Sequence, residues 1–227
     1  MFSRYAIYVT PPPGIFADLG AQWLGWDAAT AQTCPHPEMP GALDQITAQP
    51  RRYGLHGTMK PPFRLAPGFD LADLIRATDA FCASQSALTL GPLVPREIGQ
   101  FLALVPSGDT AALDALAAAT VAALDPFRAP ATAADLARRR ANATLTPAQD
   151  QLLIQWGYPY VMEEFRFHLT LTGSCDAAKR AALVPQIHHH FAPVLDVPFR
   201  VGDLTILGED AEGRFRHLHR AVLAGPA

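Results

Sequence analysis

Two stretches of this chain carry a His-x-Thr triplet inside a strand-like alternation, and they constrain the fold more than any other feature. In Phe165-Arg166-Phe167-His168-Leu169-Thr170-Leu171-Thr172 every second residue is apolar. Successive side chains of a strand point to opposite faces. Phe165, Phe167, Leu169 and Leu171 therefore face a core, and Arg166, His168, Thr170 and Thr172 face the other way. The stretch Arg52-Tyr53-Gly54-Leu55-His56-Gly57-Thr58-Met59-Lys60 sets Arg52, His56, Thr58 and Lys60 on one parity. At roughly 6.6–6.8 Å between same-face positions, one imidazole and one hydroxyl can grip one tetrahedral oxyanion. Parity also predicts that Lys60, Arg52 and Arg166 stand beside the histidines and contact substrate phosphate.

Proline and glycine punctuate the remainder. Residues 4–10 read as a strand stopped by Pro11-Pro12-Pro13. Its Tyr5 and Tyr8 fall on opposite faces, so one packs in the core and Tyr8 is assigned to the groove as a substrate contact. A short helix is expected near 16–26. The segment 30–50, with Cys34-Pro35-His36-Pro37 and Met39-Pro40-Gly41, carries too much proline for a long regular element and reads as a loop or lid. Helical spacing marks 71–81, 109–124, 131–142, 147–156 and 176–191, and strands are expected at 52–60, 87–94, 98–105, 163–172, 197–207 and 214–222. Strand, helix, strand, strand thus recurs in the two sequence halves, 1–108 and 109–227, which predicts an α+β fold.

Composition narrows the partners. The chain has 227 residues, 49% hydrophobic and 17% charged, as a folded globular protein should. Its formal charge of −3 gives long nucleic acid no global attraction, so an anionic substrate needs a local basic cluster. A small phosphate-containing partner is expected. No apolar stretch approaches a membrane span and no leader pattern precedes Tyr5, which predicts a cytoplasmic protein without a membrane partner. Cys34, Cys82 and Cys175 form no C-x-x-C pair and read as reduced core thiols.

Two histidines suit the opening of a cyclic phosphodiester. Such a reaction needs a base for water and an acid for the leaving sugar oxygen, and histidine titrates near neutrality at about 6.5. One imidazole starts neutral and the other charged. Hydroxyls of Thr58 and Thr170 would donate to the non-bridging oxygens as charge grows there, so no metal or other cofactor is expected. Which histidine is acid and which is base stays open at this point.

With both motifs on the page, the chain resembles the 2H phosphoesterases, named for two His-x-Thr motifs on a duplicated α+β scaffold. More narrowly, Arg51 to Phe63 and Phe165 to Gly173 look like the branch associated with bacterial phosphonate-utilisation operons. The resemblance implies one bilobal domain over 1–227, with two antiparallel sheets flanking a central groove, helices outside and one lobe holding both chain ends, and metal-free chemistry on cyclic phosphodiesters or related RNA ends. His56, Thr58, His168 and Thr170 carry over as active-site residues. The operon link points to a phosphorylated ribose cyclic phosphate as substrate. Alternatives are a 2′,3′-cyclic or 2′,5′-RNA phosphodiesterase or ligase, and a non-catalytic nucleotide-binding module.

Other candidates carry less. In His188-His189-His190, neighbours on a helix diverge by about 100°, and His217 and His219 form an H-x-H pair near the C-terminus; neither is assigned a metal. Arg138-Arg139-Arg140 reads as a solvated helix end favourable to the helix dipole. Trp23, Trp26 and Trp156 read as core.

Overall fold

Residues Tyr5–Val9 form strand β1, buried along its whole length. The computed structural model describes residues 2–39, 43–142 and 144–225. Helix α1 (Ile15–Leu24) ends on left-handed Gly25, and a small hairpin follows, β2 (Trp26–Asp27) with β3 (Gln32–Thr33). Next come α2 (Leu43–Arg51), β4 (Gly57–Phe63), α3 (Leu71–Ala83), β5 (Leu88–Ile98) and β6 (Phe101–Pro106). The second half supplies α4 (Ala111–Ala123), α5 (Ala133–Asn142), α6 (Pro147–Trp156), β7 (Leu169–Thr170), α7 (Ala177–Leu195), β8 (Pro198–Val201), β9 (Asp203–Glu209) and β10 (Phe215–Val222).

Local chemistry explains the helix starts. Asp70 and Asp73 form a reciprocal capping box at α3, and Thr146 and Gln149 do so at α6, where Pro147 occupies the first turn without losing a useful N–H. Asp176 caps α7 by accepting from the Lys179 N–H at 2.8 Å.

The eight long-range strands make one antiparallel sheet in the order β10-β9-β1-β4-β7-β6-β5-β8. Its connectivity forces curvature. Six strand spacings of about 4.8 Å would put β9 and β8 some 30 Å apart in a flat sheet, yet only Gly202 joins them. The sheet therefore curls until its far strands approach, and the Leu223 N–H donates to the Gly202 carbonyl there at 3.0 Å. Instead of two separate sheets, the halves β10-β9-β1-β4 and β7-β6-β5-β8 are joined through a single register pair, Gly57 with Leu169. The first half holds both terminal strands, and each half carries one His-x-Thr.

The core cluster includes Ile7, Trp23, Leu74, Leu104, Phe167, Leu169, Phe191 and Ile206. Trp23 and Trp26 are buried as expected; Trp23 Nε1 donates to the Leu171 carbonyl at 2.9 Å. The three cysteines are free thiols. No described helix is long and apolar enough to cross a membrane.

The 30–50 segment corrects the loop expectation, since β3 and α2 lie within it; Pro40, Gly41 and Ala42 fall outside the described residues. Pro50 sits in the last turn of α2. Proline has no N–H for the carbonyl four residues back. That carbonyl, on Ile46, instead accepts from the Gly173 N–H at 2.6 Å, which ties α2 to the chain just after the second His-x-Thr. The expected strand at 163–172 is also corrected: its burial alternates, but only Leu169–Thr170 is laddered.

Candidate active site

His56 and Thr58 stand at the start of β4, and His168 and Thr170 lie in and just before β7, the two strands joined at the centre of the sheet. Gly54 makes the turn that delivers His56; its φ of 70° suits glycine, and a Cβ there would meet the Ala28 Cβ at 2.8 Å. Nδ1 of His56 lies 2.9 Å from the Gly54 carbonyl, and Nδ1 of His168 lies 2.7 Å from the Arg166 carbonyl. A carbonyl only accepts, so each Nδ1 carries the proton and each Nε2 is left for other chemistry.

All four side chains line one cavity of about 400 Å³. Tyr8 forms one wall and stacks on His56, with centroids 3.9 Å apart and planes 22° from parallel. Phe101 lies 5.6 Å from the His168 ring, and Tyr53 and Tyr158 complete an aromatic lining. Among the described residues the hydroxyls of Thr58 and Thr170 have no hydrogen-bond partner. Arg4 and Arg139 reach the cavity, and no described Asp or Glu lines it. The site accordingly favours an anion.

Burial sets the protonation of both imidazoles. The His56 pKa falls from 6.5 to about 4, chiefly by desolvation, opposed by the Gly54 hydrogen bond and assisted by repulsion from His168. Desolvation also lowers His168, opposed by its bond to Arg166. Both rings are thus neutral near pH 7.

Tyr8 lines the cavity, but the three expected cations do not. Lys60 is buried at 1% exposure; its ammonium donates to the Val121 carbonyl at 3.1 Å and to Asp125 at 3.0 Å. A bulge explains the reversal. Tyr8 pairs with Thr58 but Ile7 pairs with Lys60, so Met59 and Lys60 together oppose one residue and Lys60 leaves the face of His56. The Arg52 guanidinium donates to the Gly213 carbonyl at 3.1 Å, outside the cavity. Arg166 folds back onto the carbonyls of Glu163 and Phe165.

Arg139 and Arg4 were not legible as site residues. Arg139 lies in the triplet expected to be solvated, yet it lines the cavity with its guanidinium 4.8 Å from the Tyr158 ring centroid. Among the other histidines, His219 pairs with Asp79 at 2.6 Å and His190 with the Leu19 carbonyl at 2.9 Å. No group of three or more His, Cys, Asp or Glu side chains positioned to hold a metal occurs among the described residues.

Two His-x-Thr strands meeting over one cavity on an antiparallel sheet are the arrangement for which the 2H phosphoesterases are named, and this chain has it. The chain belongs to the family described as "Protein of unknown function (DUF1045)", whose model matches residues 58–216. It is 39% identical over 220 residues to a protein of Janthinobacterium sp. (strain Marseille) named "Ribose 1,5-bisphosphate phosphokinase PhnN", a match covering 93% of this chain and 48% of that protein. The chain spans about half the length of the curated relatives it matches. Among solved structures, TT0787 of Thermus thermophilus is 14% identical, with a TM-score of 0.47 and coverage of 99% of this chain and 100% of that one. E. coli LigT complexed with 3′-AMP is 17% identical, with a TM-score of 0.43 and coverage of 98% and 99%.

Proposed function

We propose that this chain is a phosphodiesterase that opens a small cyclic phosphodiester by general acid–base catalysis, with His56 and His168 as the paired groups. The observation that carries the reading is their placement: two carbonyl-anchored imidazoles and two unpartnered threonine hydroxyls surround one cavity free of described carboxylates. His56, the more strongly lowered, is the base; its neutral Nε2 takes a proton from water as the water oxygen attacks phosphorus. One ring P–O bond breaks, and the departing oxygen takes a proton from the imidazolium of His168. The bound phosphate's negative charge favours that imidazolium, opposing the desolvation that burial imposes. Thr58 and Thr170 donate to the non-bridging oxygens, where charge accumulates. These groups require no metal.

The substrate we propose is a 5-phosphorylated ribose 1,2-cyclic phosphate. The relatives are named as ribose 1,5-bisphosphate phosphokinases, and this chain matches only about half of their length. Neither Lys60 nor Lys179, the only two lysines, follows a glycine, so the chain carries no G-x-x-x-x-G-K-[ST] phosphate loop. We assign the kinase activity to the relatives' other half. A hydrolase that breaks the P–O2 bond of the cyclic ester leaves its phosphate on O1 and so delivers ribose 1,5-bisphosphate to such a kinase. Phosphorus NMR of the reaction on 5-phosphoribosyl 1,2-cyclic phosphate tests this, with ribose 1,5-bisphosphate expected. Formation of the 2,5-bisphosphate would reverse the regiochemistry, and turnover of 2′,3′-cyclic AMP alone would move the substrate class to RNA ends.

A further inference from the structure

Beside the cavity of the two histidines lies an annex of about 80 Å³ that shares Arg4, Pro62 and Arg139 with it. Its wall is unusual for a chain with a net charge of −3: Arg4, Arg64, Arg128, Arg138 and Arg139 face it, and Asp135 is its one described carboxylate. The arginines are not equivalent. Arg4 is committed to Glu209 through two bonds of 2.6 Å, and Arg128 grips both oxygens of Asp125 at 2.8 and 3.0 Å. Arg64 and Arg138 share Asp135 at 2.5 and 2.6 Å. Arg139 has no carboxylate partner among the described residues, and its guanidinium rests against the Tyr158 ring. Asp125 also serves Lys60, and Glu209 also serves Arg52. Six cations thus share three carboxylates, and the seventh, Arg139, lies unmatched at the junction of cavity and annex.

Resting on the proposed phosphodiesterase reading and deepening it, we propose that the annex is a second anion subsite that takes a phosphate monoester of the same substrate, with Arg139 as its main contact. Arg64 and Arg138, which share one carboxylate, supply further donors. A guanidinium presents a planar fork of N–H groups to phosphate oxygens, and unlike an ammonium it keeps its charge at any working pH. The substrate class that fits is a cyclic phosphodiester bearing a separate, dianionic phosphate. A cyclic ester lacking that phosphate leaves Arg139 unmatched.

The test compares kcat/KM for 5-phosphoribosyl 1,2-cyclic phosphate with that for ribose 1,2-cyclic phosphate. The wild type is expected to prefer the phosphorylated ester on the order of 10²-fold, and Arg139→Ala to reduce that ratio about tenfold or more. Arg139→Lys should retain part of the preference. Arg140→Ala, at a residue that pairs with Asp150 and lines neither cavity, should keep the wild-type ratio. A wild-type ratio near one, or an unchanged ratio in a folded Arg139→Ala protein, overturns the subsite. If neither ester is turned over, the phosphodiesterase reading fails separately. Calorimetric binding of 5-phosphoribosyl 1,2-cyclic phosphate then decides the subsite: weaker binding to Arg139→Ala supports it, and equal binding overturns it.

Discussion

Gly57 and Phe167 interlock the two His-x-Thr strands: a Cβ on Gly57 would lie 2.2 Å from the Phe167 ring. The middle residue of the first triplet is thus shaped to the residue before the second histidine, and Gly57 also supplies the sole register pair between β4 and β7. Gly57→Ala should force the halves apart, costing about 1–3 kcal/mol by overpacking and lowering kcat by moving both histidines. Thermal unfolding and kcat measured together check this; a variant matching the wild type in both would show that the joint is loose.

The pH profile of kcat/KM should peak in the mildly acidic range. The base His56 becomes protonated as pH falls through about 4, which sets the acid limb. His168 must be protonated to act as acid, and its pKa is lowered below 6.5, so the other limb also lies on the acid side of neutrality. The neutral optimum expected from unperturbed histidines shifts downward, as initial rates from pH 3.5 to 8 will show.

Folding stability should fall over the same acid range. His56 and His217 have folded pKa values near 4, against 6.5 when unfolded. The unfolded chain therefore binds more protons between those values, so their contribution is intact above 6.5 and lost as pH falls toward 4. Urea unfolding at pH 7, 5.5 and 4.5 measures the slope, and His217→Asn should flatten it.

Lys60→Met should act on stability and leave KM near the wild-type value. Its ammonium is held by Val121 and Asp125 away from the cavity, so removal costs about 1–3 kcal/mol of unfolding free energy. A large rise in KM with unchanged stability would return Lys60 to the substrate.

The contrast between Lys60 and Thr170 shows what the sequence makes legible. Alternation from Phe165 to Leu171 states which face each side chain takes, and the structure keeps it: the four apolar residues are buried and His168 and Thr170 reach the cavity. Parity misplaced Lys60 because a bulge is a property of two strands in register, and the pairing of Ile7 with Lys60 is not written in either alone. Helix α2 was obscured by Pro50, whose missing N–H is compensated by the distant Gly173. Arg139 looked like any cation in a helical last turn. Only the packing of α5 near Tyr158 turns it toward the histidines.

Exhaustive chelation should leave activity on 5-phosphoribosyl 1,2-cyclic phosphate intact, because imidazole and hydroxyl groups supply the charge stabilisation otherwise provided by a metal. Loss on chelation with recovery on added zinc or manganese would contradict this.

Single-turnover rates of the wild type, His56→Ala, His168→Ala and the double variant on 5-phosphoribosyl 1,2-cyclic phosphate test the pairing most directly. Each single variant should lose about 10²–10⁴-fold, and the double should lose less than the product because the two groups act in one step. Full turnover by either folded single variant, or losses that multiply, would contradict a concerted pair.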